Sequence, residues 1–203
     1  MKKNPEQDLE HIRSMMERSS RFISLSGLSG VFAGIFALIA AVIAFLLFQK
    51  NGIDNFTGNG VYPGKLVRQL CILGLLTLLA ALGSAIIFTL RKSRQNKIKP
   101  WNSLTRRLIT SFIIPFLAGG IFCIALFYNL QYAFIAPVML IFYGLALINT
   151  SKYTYTDINY LGYCELVLGL IALFLPDFGL VFWAVGFGVM HIVYGLLMYK
   201  KYR

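Results

Sequence analysis

Long apolar runs alternate with short polar stretches along this chain. After a polar lead over residues 1–22, apolar runs cover about 23–48, 67–90, 108–128, 130–149, 158–175 and 178–199. Each is roughly 20 residues, and a helix rising ~1.5 Å per residue needs that length to cross a hydrocarbon core ~30 Å thick. The pattern predicts an all-α polytopic membrane protein with six transmembrane helices in three hairpins. An amphipathic N-terminal segment, 1–22, precedes a six-helix domain, 23–203.

The polar stretches carry their own signals. Asn4-Pro5-Glu6-Gln7 reads as a helix start, with Asn as cap and Pro at the first helical position. Leu9, Ile12 and Met16 then recur at helical spacing opposite Glu6, Glu10, Arg13 and Glu17, which predicts a short amphipathic helix. The polar lead is too long and too acidic for a cleavable signal, and the first apolar run is too long. Residues 49–65 form a Gly- and Asn-rich loop, and Asn129 is expected in a tight turn. Thr156 or Asp157 is expected to cap the fifth helix. Pro176 and Asp177 make the last turn.

Charge adds orientation. The formal net charge is +11, and 58% of residues are hydrophobic, with a mean hydropathy of +0.70. In a soluble chain that charge would suggest nucleic acid; in a membrane chain it is read as positive-inside asymmetry. With six spans, sixteen Lys and Arg fall on the side of both termini, against Lys50, Lys65 and Arg68 on the other. Both termini are therefore expected in the cytoplasm, in a cell inner membrane. Residues 91–107 hold seven basic residues and no acidic one, with Trp101 as an interfacial anchor after Pro100. The candidate partners are the bilayer, and an anionic lipid or a cytoplasmic protein at 91–107 and 1–22; no nucleic acid is expected. Cys71, Cys123 and Cys164 all lie in apolar runs and read as small buried hydrophobes rather than a disulfide framework.

The candidate chemistry sits in the last two spans. Glu165 and His191 are the ionisable groups well inside an apolar run. Gly162, Glu165 and Gly169 share one helix face; Ala184, Gly188, His191 and Gly195 share another. Small residues mark helix-packing faces in lipid, as Ser26, Gly30 and Gly34 do in the first span. Both ionisable groups should then point into the bundle. Glu165 is seven residues from the start of its helix, about 10 Å deep at ~1.5 Å per residue. His191 is eight residues from the far end of the returning helix, about 12 Å from the same membrane face. The depths match, so a Glu165–His191 hydrogen bond or ion pair is expected, with Tyr160, Tyr163 and Tyr194 within reach.

An internal repeat supplies a control. Val138 to Leu145 resembles Val189 to Leu196 at an offset of 51, with six of eight positions identical. At that offset Glu165 corresponds to Ile114 and His191 to Leu140, so a similar hairpin forms without either ionisable group. The segment LGLIALFLPDFGLVFWAVGFGVMHIVYGL resembles the hairpin unit of the HdeD-like acid-resistance membrane proteins. The stretches RSSRFISLSGLSGVFAGIFAL and GFGVMHIVYGLLMY resemble uncharacterised six-span inner-membrane proteins of Bacteroidota. These resemblances imply six spans and repeated hairpins, and carry over no functional residue.

Function narrows by class. There is no HExxH, GxSxG, Walker loop or CxxC, so no enzyme, metal or cofactor is expected. The reading is a non-enzymatic sensing, scaffolding or regulatory membrane module with a buried Glu–His pair. The alternative is a small proton-linked transporter or channel using Glu165 and His191. Against transport, no broken helix is expected.

Overall fold

In lipid, backbone N–H and C=O groups find no water, so a spanning segment must satisfy them internally. The computed structural model, which describes residues 27–53, 62–95 and 101–202, is built accordingly. Six described segments are long and apolar enough to cross a membrane: Gly27–Lys50, Gly64–Gln95, Ser103–Tyr128, Tyr132–Tyr153, Asp157–Phe174 and Pro176–Lys201. The chain is thus an all-α, multipass integral membrane protein. The predicted helix over 1–22, Ser26, Pro100 and residues 54–61 of the 49–65 loop lie outside the described residues.

The helices are α1 (Gly27–Lys50), α2 (Gly64–Gln95), α3 (Ser103–Tyr128), α4 (Ile135–Thr150) and α5 (Asp157–Phe174). The sixth span comprises α6 (Gly179–Trp183), a π-helical stretch (Ala184–Met190) and α7 (His191–Lys201). Single 3₁₀ turns, Tyr132–Phe134 and Pro176–Phe178, lead into the fourth and sixth spans.

Local chemistry moves several boundaries. α2 overruns the expected 67–90 at both ends, and Lys92 and Arg94 occupy its last turn, where the helix dipole favours positive charge. α3 begins at Ser103 rather than 108, because the Asn102 side chain accepts the Thr105 N–H at 2.8 Å and so caps it. Asn129 ends α3, donating its side-chain amide to Ala125 O at 2.8 Å. The residue that turns the chain is Leu130, with φ of 59°, a region costly for a branched side chain. Thr156 stands at the cap position of α5 without a side-chain cap bond, and Asp157 opens the first turn.

Packing follows the first two expected hairpins but not the third. α5 packs chiefly against α4, and the sixth span chiefly against α1; α5 and the sixth span touch each other less. α2 lies against α1 and α3 against α4, as flanks. Few of their residues are buried, and Ile72, Leu75, Leu79 and Ile86 of α2 are exposed, as lipid-facing residues should be. The interior belongs to α1, α4, α5 and the sixth span.

Glycines set the two central interfaces, because helices in lipid associate through close backbone approach. A Cβ on Gly34 would lie 2.6 Å from Gly188 O and from Ile192, and one on Gly195 would meet Val31 and Gly27. A Cβ on Gly169 would lie 2.7 Å from Ile141, and one on Gly162 would lie 2.9 Å from Gly144 O. Ile192 covers Gly34 as Ile141 covers Gly169, and Gly195 faces Gly27 as Gly144 faces Gly162. In this register Glu165 stands on α5 where Gly30 stands on α1.

Candidate functional site

α5 buries Ile158, Leu161, Gly162, Glu165, Gly169 and Ala172, a single stripe at helical spacing. Glu165 is 0% exposed and His191 6%. The imidazole Nδ1 lies 3.3 Å from Glu165 Oε1, so the expected pair is formed. Its Nδ1 is also 3.0 Å from the carbonyl oxygen of Gly186, and its Nε2 is 2.8 Å from the hydroxyl of Tyr143.

One proton assignment satisfies the imidazole. With the proton on Nδ1, that N–H donates to Gly186 O and faces Glu165, while Tyr143 O–H donates to Nε2. A second proton on the ring would let Nε2–H donate to the Tyr143 oxygen instead, with no heavy atom moved. Glu165 is less well served. Neither carboxyl oxygen has a hydrogen-bond partner, so His191 at ion-pair distance is its polar neighbour among the described residues. The pair can exist as carboxylate and imidazolium or as neutral acid and neutral imidazole.

The π-helical stretch shapes this seat. A Cβ on Gly186 would collide with Glu165 Oε2 and lie 2.5 Å from Leu140, so the carboxyl rests in the notch left by the missing side chain. Phe187 stacks on the imidazole at 5.9 Å between centroids, and Trp183 lies 5.4 Å from Phe187. π-Helical turns are rare and gather at functional positions. The sixth span therefore changes helical pitch beside the pair while remaining continuously helical.

Other expectations change. Tyr160 and Tyr163 are 65% and 49% exposed, on the opposite face of α5, and do not join the pair. Tyr194 packs against Leu147, Ile158 and Leu161, and its buried hydroxyl has no hydrogen-bond partner. The glycine faces are packing faces, but not against each other. Gly162 and Gly169 meet α4, Gly188 and Gly195 meet α1, Gly30 and Gly34 meet the sixth span, and Ala184 is half-buried. Cys71 and Cys164 are exposed rather than buried, and Cys123 is intermediate.

Sequence reasoning missed Tyr143, Gly186 and Phe187. Tyr143 was signalled by the repeat, since it occupies in the fourth span the position of Tyr194 in the sixth. Gly186 falls off the small-residue stripe in an α-helical register, and only the π stretch turns it toward α5.

Fold and site together define a six-span helical integral membrane protein with a closed intramembrane Tyr–His–Glu line drawn from three spans. No protein-family model, curated protein or solved structure matches the chain.

Proposed function

We propose that this protein is a non-enzymatic inner-membrane module that senses or regulates through the protonation state of its Glu165–His191 pair. The observation that carries the reading is the fully buried Glu165, whose charge partner is an imidazole on a span that changes helical pitch. Intramembrane ionisable groups are costly and are mostly retained for function. An imidazole can gain or lose a proton, and α4, α5 and the sixth span all contribute atoms around this one. A proton gained or lost there changes the forces between three helices, and their packing is the output. Both termini face the cytoplasm in this reading, supported by the sixteen-to-three distribution of basic residues.

The test uses Trp183, which reaches the imidazole through Phe187. In a Trp101→Phe background, Trp183 fluorescence should show one pH-dependent step. Glu165→Gln should remove or displace that step. A flat response in the parent protein would overturn the reading.

A second reading, a small proton-linked transporter or channel, is favoured by the π-helical stretch beside the pair. Proteoliposomes carrying a pH-sensitive dye decide between them. Proton flux above that of empty liposomes, abolished by Glu165→Gln, would replace the first reading with the second.

A further inference from the structure

A cavity of about 680 Å³ opens at the end of the bundle where α3 begins and α4 ends. Its walls include Trp101, Ser103, Arg106, Arg107, Ser111 and Tyr153. Asn149 of α4 donates to Ser111 O at 2.8 Å and ties the two walls together. Its polar lining offers donors: two guanidiniums, an indole N–H, two serine hydroxyls and a phenol, while the Asn102 amide oxygen that also borders it is engaged by the Thr105 N–H at 2.8 Å. No carboxylate among the described residues lines it. Among the described residues, neither Arg106 nor Arg107 forms an ion pair. Thr110 also borders the space, but its hydroxyl is engaged by Arg106 O at 2.9 Å.

Unpaired guanidiniums beside free hydroxyls make a receptor for an oxyanion, and arginine suits phosphate because its planar fork can bond two oxygens at once. The depth of the cavity in the membrane points to the source. Trp101 is 69% exposed at its rim, the position of an aromatic anchor at the headgroup level, and the apolar body of α3 continues from there into the hydrocarbon. We propose that this cavity binds the phosphate of an anionic phospholipid headgroup, with Arg106 and Arg107 as the charged partners and Tyr153 as a neutral donor. The lipid's acyl chains would lie along the exposed face of α3, where Ile113, Ile114, Leu117 and Ile121 are uncovered. This site is separate from the Glu165–His191 pair.

The test is thermal unfolding of the full chain in a neutral detergent, with added short-chain phosphatidylglycerol, phosphatidylcholine or inorganic phosphate. Phosphatidylglycerol should raise the midpoint in a saturable way, and phosphatidylcholine should not. Arg106→Gln with Arg107→Gln should weaken the apparent affinity at least tenfold, and Tyr153→Phe should weaken it less. Arg68→Gln, at the other end of the bundle, and Glu165→Gln should leave it unchanged. Equal shifts from the two lipids, or a full shift retained in the double variant, would overturn the proposal. A full shift from inorganic phosphate alone would overturn the lipid as the source. Should the double variant fold poorly, Tyr153→Phe alone still decides, because an unchanged affinity there counts against the site.

Discussion

The Tyr143 hydroxyl lies 2.8 Å from His191 Nε2, joining the fourth span to the sixth where the imidazole is buried and the tyrosine partly buried. Removing that hydroxyl leaves the Nε2 of a buried imidazole without a partner. Tyr143→Phe should cost about 1–3 kcal/mol of stability, the ordinary penalty for orphaning a buried polar atom. Tyr194→Phe is the matched control, since the Tyr194 hydroxyl is buried without a partner. It should be neutral or slightly stabilising. Thermal unfolding of both variants in detergent at neutral pH checks the contrast, and equal losses would contradict it.

The pair itself should behave non-additively. His191→Leu alone leaves Glu165 buried without its counter-charge and should cost about 3–5 kcal/mol. Combined with Glu165→Leu, the change should return close to parent stability or exceed it, because an apolar pair needs no charge compensation. A double-mutant cycle reads the coupling directly. A cycle with no coupling would mean that the two groups do not interact as their 3.3 Å separation indicates.

Glycine substitutions should divide by location. At Gly186 an added methyl would collide with Glu165 Oε2, so Gly186→Ala should destabilise by about 1–3 kcal/mol, the range for overpacking. At Gly83 nothing lies within 4 Å of the added atom, so Gly83→Ala should stabilise by up to about 1 kcal/mol through helix propensity. Gly186→Ala should also shift the Trp183 titration, a readout that simple loss of packing would not move.

The tail carries a different kind of contact. Asp157 accepts from Lys201 Nζ at 2.9 Å and from the Tyr202 hydroxyl at 2.6 Å, fastening the end of the sixth span to the start of the fifth. Partial burial, then the hydrogen bond to Asp157, holds the Tyr202 phenol above its ordinary range. A group whose folded pKa is raised stabilises while it stays protonated. That contribution is present below about pH 10 and disappears as pH rises through the folded value. Tyr202→Phe should remove this alkaline dependence with a smaller loss than Tyr143→Phe. Added salt should weaken the Lys201 contact but leave the Tyr143 bond unaffected.

Run length and hydropathy are local properties, and they sufficed to establish six crossings, the inward faces of Gly162, Glu165, Gly169 and His191, and the matching depths that bring the acid to the imidazole. What lay beyond them was which helix faces which. The glycine stripes of the fifth and sixth spans look complementary in one dimension, yet they dock on α4 and α1, because partner choice depends on how all the helices share their close approaches. That arrangement brings Tyr143 to the imidazole. The π-helical stretch turns Gly186 under the carboxyl, and no residue pattern announces a change of helical pitch. The amino-acid sequence determined that a buried acid and base would meet in the membrane. Tertiary structure alone decided what surrounds them, since a polar group's surroundings are assembled from segments far apart in the chain.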